Sequence, residues 1–363
     1  MLKKLSICFT VYNQIDILKT NLDLITKYKN DDIEIVVSDD CSTDRIEDLV
    51  ISYNDKRIAY FKTESNIGHD LNILHGLRCC KSNYVYIFRT RDNIYVENIP
   101  KIIKIIEDNP KVGFYYFSAF DEEGNLRLNF KDHFFEKGFD IAKNQKTIPI
   151  HPSGNLYNKT YLQLDLYEKY IRKYFSNNYG FIVHQLIRYD LSAKADFLTS
   201  STIGWIYADT LRASDVAVNK SKNGINVYAP IYCYPRYKCE FEFVKNELPR
   251  EFQLINFINI VHFYYVFIIY KSPMIVQDPR YNKHYTSNKE NINIKKELKT
   301  IEDMTIMMIS DLPQKSKEEI TKKIKKDIIF LKLLYPFMTK IRNRLIGTKA
   351  YKFYRKGIAY KKR

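Results

Sequence analysis

Polar and charged side chains follow four short apolar segments in the N-terminal third of the chain. Each apolar segment predicts a β-strand, and ligands of open α/β sheets bind where the carboxyl ends of the strands meet. We therefore expect the side chains after these strands to line one binding site for a polar ligand. They are Thr10, Tyr12 and Asn13; Asp39 and Asp40; Asn66, Gly68 and Asn72; and Arg89, Arg91 and Asp92.

The elements that must position these groups alternate between strand and helix over the first 120 residues. Apolar residues between the strands recur at spacings of three and four, which is typical of helices, with Asn13 predicted to cap the first helix and Asp44 the second. Such alternation predicts an α/β fold with a mainly parallel sheet and helices on both faces. The strands are predicted at residues 5–10, 33–38, 57–62, 84–88 and 112–117.

The alternation is lost beyond residue 119. We expect loops and short strands over residues 120–155 and helices over 156–198. Further on, we expect a polar loop over 272–297 and a charged helix over 315–326.

Residues 254–270 form an uncharged stretch of 17 residues, at the lower limit for a membrane span. The stretch contains Asn256, Asn259 and His262, which a bilayer would penalise. Its length and polarity favour a buried helix.

The composition of the 363 residues is that of a folded, basic protein. Hydrophobic residues make up 45% and charged residues 28%, which excludes wholesale disorder. Lys and Arg number 58 against 42 acidic residues, a formal net charge of +16. This balance suits nucleic acid, an anionic membrane or a phosphorylated substrate. The six cysteines form neither a disulfide framework nor a Cys-x-x-Cys zinc site, and no signal-peptide pattern opens the chain, so we expect a cytoplasmic protein.

The order of the strand-end groups resembles the family 2 glycosyltransferases of the GT-A fold. Their pattern is Tyr-Asn after the first strand, Asp-Asp-x-Ser-Thr-Asp after the second, Asn-x-Gly after the third and an acidic metal-binding triplet after the fourth. The resemblance is close over residues 4–120 and extends loosely to about 215. It implies a GT-A domain over 1–215, and a mostly helical region over 216–363 would follow.

The resemblance also implies an activity. The expected enzyme is an inverting transferase that moves one sugar from a nucleotide diphosphate donor, a uridine one, to a saccharide acceptor, free or lipid-linked. Its pathway would be a bacterial surface glycan, capsule or lipopolysaccharide. Trp205 is the only tryptophan and no Gln-x-x-Arg-Trp signature precedes it, which favours a single-sugar transferase over a processive synthase.

The nucleotide is expected to contact the first three groups. The ring of Tyr12 could lie against uracil, and Asp39 or Asp40 could accept hydrogen bonds from the base or ribose. The glycine would let the backbone approach closely. The competing interpretation is that Asp40, Ser42 and Asp44 only form a turn and cap a helix. For Asp44 we favour this structural role over nucleotide contact. The implied nucleotide-binding residues are Thr10, where the family usually has proline, with Tyr12, Asn13, Asp39, Asp40, Asn66, Gly68 and Asn72.

The fourth group departs from the family pattern. Arg89 and Arg91 stand where the family has Asp-x-Asp, and only Asp92 is acidic. Two guanidiniums cannot hold Mg²⁺ or Mn²⁺, which need oxygen ligands. Three interpretations stay open. The arginines could neutralise the diphosphate directly; Asp92 could hold a weakly bound Mg²⁺ or Mn²⁺; or the domain could be catalytically silent and act as a scaffold for partner transferases.

An inverting transfer also needs a general base for the acceptor hydroxyl. In the family this is an acidic residue at the start of a later helix, and the corresponding stretch here, 179–190, has no acidic pair. His184 lies nearest the expected place, Asp190 is its competitor, and a polar core residue is the alternative for His184. Residues 151–154, His-Pro-Ser-Gly, resemble the acceptor loop that precedes the base.

The C-terminal tail predicts where the protein binds in the cell. Residues 328–363 hold eleven Lys or Arg and no acidic residue, interleaved with aromatics. Such a segment suits the inner face of the cell membrane, where aromatics lie at the interface and cations bind lipid phosphates. Nucleic-acid binding would leave the strand-end groups unexplained, so we expect none. A homodimer is a further expectation.

Overall fold

The computed structural model describes five stretches of the chain: residues 3–144, 151–175, 180–208, 228–276 and 292–345. For residues 274, 275 and 334–345 it describes the backbone only. The predicted domain boundary at 215/216 lies outside these stretches. So do the middle of the predicted loop over 272–297 and the tail beyond 345.

The predicted alternation of strands and helices over the first 120 residues is confirmed. The main addition is a short strand after the fourth predicted one, followed by a 3₁₀ turn at Val96–Asn98. The elements are β1 (Leu5–Val11), α1 (Ile15–Ile25), β2 (Ile33–Asp39), α2 (Ile46–Ser52), β3 (Ile58–Lys62), α3 (His69–Cys79), β4 (Tyr84–Arg89), β5 (Asn93–Ile94), α4 (Ile99–Asp108) and β6 (Val112–Asp121).

The next part of the chain mixes short strands with helices. The range predicted as helical, 156–198, holds two helices and a 3₁₀ turn at Lys159–Tyr161, but a strand enters at each end. The elements are β7 (Leu126–Leu128), β8 (His133–Phe135), α5 (Phe139–Asn144), β9 (Asn155–Asn158), α6 (Leu164–Tyr174), α7 (Val183–Lys194) and β10 (Asp196–Tyr207).

Within the described residues, ten strands form one sheet in the order β3-β2-β1-β4-β9-β6-β10-β5, with β7 on β6 and β8 on β10. Neighbours from β3 to β4 are parallel, as are β6 and β10, whereas β9 runs antiparallel between β4 and β6. Thr10 pairs with both Ser38 and Arg89, and Val11 pairs with Asp39. The carboxyl ends of β1, β2 and β4 therefore meet at one edge, as predicted.

The core lies on both faces of this sheet. Every residue of β1 and β2 is buried, as expected for parallel strands covered by helices on both sides. On α4, Ile99, Ile102, Ile103 and Ile106 form the buried face that the spacing predicts. The mainly parallel α/β architecture is confirmed.

The described part of the C-terminal region is helical. Its elements are α8 (Pro230–Glu247), α9 (Arg250–Val266), a π-helical turn (Phe267–Lys271), α10 (Ser272–Val276), α11 (Ile294–Met308) and α12 (Gln314–Leu345). The charged helix predicted over 315–326 is confirmed within α12. The loop predicted over 272–297 is wrong at both ends, because α10 extends the preceding helix and Asn293 caps α11 by accepting from the amides of Lys295 and Lys296.

The segment Arg250–Lys271 is long and apolar enough to cross a membrane by length and composition, a test that core helices also pass. About 44% of its most apolar window is buried inside the protein. Asn259 donates to the carbonyl of Ala142 (2.8 Å), and Nδ1 of His262 lies 2.9 Å from Asp327. One face of the segment is therefore part of the core, as expected for a buried helix.

Candidate active site at the strand ends

The loops after β1 and β2 hold each other in place. Asn13 has a left-handed backbone (φ 52°), and its side-chain oxygen accepts from the amide of Thr43 at 2.8 Å. The carboxylate of Asp44 accepts from the amide of Ile15 at 3.2 Å, at the start of α1. Both predicted caps are thus wrong. The left-handed backbone at Asn13 turns the Asn13 side chain toward the loop after β2, and Asp44 in that loop caps α1. The N-cap residue of α2 is Arg45.

Asp39 is fully buried at the end of β2. Its Oδ1 accepts from the amide of Ser42 at 3.0 Å, and its Oδ2 accepts from the hydroxyl of Tyr60 at 2.7 Å. Asp39 therefore joins the second loop to β3. In this arrangement its carboxylate faces the protein.

Asp40 fixes the loop that follows β3. Its two carboxylate oxygens accept from the amides of Ile67 (2.7 Å) and Gly68 (2.9 Å). Burial raises the pKa of Asp40, against the lowering effect of these two amides. Gly68 has φ 86°, a conformation that favours glycine, and Asn66 is exposed beside it. The predicted Asp-Asp and Asn-x-Gly segments are thus brought together, with the carboxylate of Asp40 holding the loop.

The remaining members of the first three groups face in two directions. Asn72 is buried, accepting from the hydroxyl of Ser38 at 2.7 Å and donating to its carbonyl at 3.1 Å. Thr10 is buried too, its hydroxyl 3.4 Å from the carbonyl of Phe88. Tyr12 keeps 44% of its surface exposed. Tyr12 and Asn66 are therefore the accessible side chains on this side of the edge.

The segment at the end of β4, Arg89–Asp92, is held in place by a network of buried hydrogen bonds. Nε of Arg89 donates to Oδ2 of Asp92 (2.6 Å), and Nη2 donates to Nε2 of His151 (3.0 Å). Asp92 also accepts from the hydroxyl of Ser153 (2.6 Å) and, through Oδ1, from the amide of Ala208 (3.1 Å). Burial opposes the charge of Asp92, but the charge of Arg89 and the hydrogen bonds from Arg89 and Ser153 lower its pKa.

His151 supports this network as a neutral imidazole. Burial, and then the charge of Arg89, lower its pKa to about 3. Its ring stacks on Trp205 at 4.9 Å between centroids. Gly154 (φ 81°) leaves room for that tryptophan, since a Cβ atom there would lie 2.6 Å from its ring nitrogen. The segment that resembles an acceptor loop thus packs beneath Arg89 and Asp92, a contact that the sequence did not predict.

Arg91 differs from Arg89 and Asp92 in its contacts. It is partly buried, and it makes no hydrogen bond or ion pair with any residue that the structure describes. Burial, and then the nearby charge of Arg89, lower its pKa to about 10, so that Arg91 stays cationic at neutral pH. Since Asp92 neutralises Arg89, the segment carries one positive charge that no residue in the described stretches compensates.

The donor set does not fit a divalent metal. Mg²⁺ and Mn²⁺ need free oxygen ligands, and both oxygens of Asp92 already accept hydrogen bonds. The described residues contain no group of three or more His, Cys, Asp or Glu side chains that could hold a metal ion. Asp92 acts here as the anchor of Arg89.

The two residues predicted as general base lie in α7, and both are buried. Nδ1 of His184 lies 2.8 Å from the hydroxyl of Tyr157, and its Nε2 has no partner among the described residues. Burial, and then the charge of nearby His69, lower the pKa of His184 to about 3. Asp190 forms an ion pair with Lys194 at 2.6 Å. Its carboxylate contacts α6 and α7 rather than the strand-end groups.

A histidine–aspartate pair that the sequence reasoning missed lies at the start of α3. Nδ1 of His69 is 3.2 Å from Oδ1 of Asp70, and the buried Asp70 accepts from the amide of Ile182 at 3.0 Å. The ring of His69 packs on Phe181, with 4.7 Å between centroids. The signal was in the sequence, since His69 directly follows the Asn-x-Gly segment.

Residues 6–164 match the model of a family described as glycosyl transferase family 2. Over this stretch the chain is similar to family 2 glycosyltransferases. An uncharacterized glycosyltransferase of Methanocaldococcus jannaschii is 24% identical over 53% of this chain and 73% of its own length. The abequosyltransferase RfbV of Salmonella typhimurium is 29% identical over 26% of this chain and 30% of its own length.

The extent of these glycosyltransferase matches is uneven. Apart from the archaeal protein, the chain spans less than two fifths of the length of the curated relatives it matches. Among solved structures, S. aureus TarS in complex with UDP-GlcNAc aligns over 84% of this chain and 91% of the other, at 13% identity and a TM-score of 0.46. That score is too low to carry weight, so the fold rests on the sheet described above.

Proposed function

We propose that this chain is an inverting glycosyltransferase that transfers one sugar from a nucleotide diphosphate donor, a uridine one, to a saccharide acceptor. One observation carries the proposal: the register of β1 with β2 and β4 brings the predicted nucleotide-binding groups to one edge of the sheet. That edge lies within the region matching glycosyl transferase family 2.

The nucleotide would bind between the exposed side chains of this edge. Tyr12 offers an exposed ring against which a base can stack, and the Asn66–Gly68 loop offers backbone. Because both oxygens of Asp40 already accept from that loop, we expect Asp40 to act by shaping it. Arg89 ends the neighbouring strand β4, and Arg91 and Asp92 follow it directly; we expect the diphosphate to lie beside these three residues.

For the general base we favour His69 over the predicted His184. Asp70 lies 3.2 Å from Nδ1 of His69, where it would hold the proton on Nδ1, leave Nε2 as the acceptor and stabilise the imidazolium formed when a proton arrives. Nε2 of His69 is buried and has no hydrogen-bond partner in the described part of the chain. His184 is less suited, because burial lowers its pKa to about 3.

The acceptor and the cellular site complete the proposal. We propose a saccharide acceptor, free or lipid-linked, of a bacterial surface glycan, in line with the similarity to the Salmonella abequosyltransferase. A lipid-linked acceptor would require docking to the cytoplasmic face of the membrane. Exposed Ile329, Phe330 and Leu333 on α12, among lysines, support such docking.

The test of this function is a panel of nucleotide sugars offered to the full chain. Binding by calorimetry and release of the nucleoside diphosphate are measured for uridine, guanosine, cytidine and thymidine donors, with and without saccharide acceptors. We expect one donor to bind and to release its nucleoside diphosphate faster when the right acceptor is present. Binding without turnover would favour the scaffold alternative, and no binding of any donor would exclude the function.

A further inference from the structure

The segment Arg89–Asp92 carries a positive charge that nothing in the described chain neutralises. Arg89 and Asp92 form an ion pair at 2.6 Å, and His151 is neutral. Arg91 is partly buried and makes no hydrogen bond or ion pair with a described residue. Charged groups withdrawn from water are normally paired, so a guanidinium that pairs with no described residue at this edge of the sheet calls for an anion.

Among the described residues of this segment, Arg91 rather than Arg89 has its guanidinium available for that anion. Arg89 directs Nε to Asp92 and Nη2 to His151, and is held in place by these two contacts. Arg91 keeps its five N–H donors, whose planar fork matches two oxygens of a phosphate group. The anion best matched to this edge is therefore a phosphoryl group.

A divalent cation is a poor occupant of the same place. The only carboxylate of the segment, that of Asp92, already accepts from Arg89, Ser153 and the amide of Ala208. A metal ion would also face the charge of Arg91 without an oxygen ligand to offset it.

We propose that Arg91 binds the diphosphate of the sugar donor and replaces the divalent metal in stabilising the departing nucleoside diphosphate. This inference rests on the proposed function. The acceptor oxygen forms a bond to the anomeric carbon, and the bond from that carbon to the β-phosphate oxygen breaks. The electron pair of the broken bond stays on the diphosphate, where Arg91 stabilises it, and the acceptor proton passes to the base.

The experiment compares nucleotides of different charge in the presence of EDTA. Uridine, UMP, UDP and inorganic phosphate, with the matching series for any other nucleotide that the donor panel selects, are titrated into the full chain by calorimetry. The same titrations are run on R91Q, on R91K, and on R172Q as a control, since Arg172 is an exposed arginine of α6 that pairs with Glu168. Thermal unfolding checks that each variant is folded.

We expect the diphosphate to bind without metal about 10-fold or more tighter than the monophosphate. R91Q should remove that preference and leave the affinity for the nucleoside unchanged, R91K should retain part of it because the charge stays without the fork, and R172Q should behave as the wild type. Turnover of the selected donor by the wild type should persist in EDTA. In R91Q, turnover should fall by about 10-fold or more, the same factor as the lost preference for the diphosphate.

Three results would overturn the inference. Diphosphate binding or turnover that needs Mn²⁺, with R91Q unchanged, would contradict it while leaving the transferase function in place. Binding of inorganic phosphate as tightly as UDP would assign Arg91 to a free-anion site instead. No binding of any nucleoside or nucleotide would exclude the proposed function itself, and the inference with it.

Discussion

At the scale of single residues, the acidic side chains of the edge work mainly through the backbone they hold. Asp40 accepts from the amides of Ile67 and Gly68, and Asp92 accepts from the amide of Ala208. These carboxylates are predictable from the sequence because they follow strands, where ligands bind. Their partners are not predictable, because they lie 27 to 116 positions away along the chain.

Replacing Asp40 by Ala tests this structural role. The substitution leaves two amides without an acceptor, which we expect to lower the free energy of unfolding by about 1–3 kcal/mol. It should also weaken nucleotide binding, because the Asn66–Gly68 loop loses its support. Urea denaturation and calorimetry measure the two effects. Asp48→Ala is the control, since Asp48 pairs with Arg45 at the surface and should cost less than about 0.5 kcal/mol; equal losses in both variants would refute the role of Asp40.

The choice of general base is testable with two substitutions. His69→Gln should lower kcat by about 10²–10⁴-fold with little change in KM. His184→Gln should cost less than about tenfold, because that imidazole is not the proton acceptor. Steady-state rates over a range of pH decide between them. A larger loss in His184→Gln would restore the sequence-based prediction.

At the scale of elements, apolar periodicity predicted the strands and helices that alternate, and it failed where pairing depends on distant segments. The four residues of β9 insert antiparallel between β4 and β6, and no local pattern indicates this. The same insertion places His151 and Ser153 beneath Arg89 and Asp92. The contacts of His151 and Ser153 with Arg89 and Asp92 were thus not predictable from the sequence around either pair.

Glu240 joins three helices through its buried carboxyl group. On α8 it accepts from Tyr189 of α7 (2.8 Å) and Tyr264 of α9 (2.6 Å). Burial raises its pKa from 4.5 to about 7, although the two tyrosine hydroxyls and the nearby Arg236 and Arg188 act in the opposite direction.

Because its pKa is raised, the carboxyl group of Glu240 keeps its proton in the folded chain at pH values at which the unfolded chain has lost it. Stability from Glu240 is therefore fully present below about pH 4.5 and is lost as the pH rises toward 7. The Gln side chain of E240Q stays neutral at every pH. We therefore expect the free energy of unfolding of E240Q to fall less than that of the wild type as the pH rises, by an amount on the order of 2 kcal/mol. Urea denaturation from pH 5 to pH 8 measures it. Parallel curves for E240Q and the wild type would show that Glu240 does not titrate in this range.

At the scale of the whole molecule, positive charge and exposed apolar side chains occur together in the C-terminal region, where we propose that the protein docks to a membrane. Ile329, Phe330 and Leu333 of α12 are 61%, 53% and 75% exposed. They lie on a lysine-rich helix that leads into the basic tail predicted to bind a membrane. The sequence predicted the charge of this region but not which face of α12 is left uncovered, since that depends on packing against α9.

Replacing these three residues by Ser tests membrane docking. We expect the wild type to sediment with phosphatidylglycerol vesicles, more weakly at high salt, and not with neutral vesicles. The triple variant should bind the anionic vesicles about tenfold or more weakly, because its apolar contact with the bilayer is lost. Ile51→Ser, at an exposed position of α2, is the control. Equal binding by the triple variant and the wild type would rule out docking through this face.

The most direct measurement is a crystal structure of the chain with the nucleotide sugar that it binds. We predict a base beside Tyr12, ribose near the Asn66–Gly68 loop and the diphosphate within hydrogen-bond distance of Arg91. A nucleotide seated away from the carboxyl ends of β1, β2 and β4 would contradict the account.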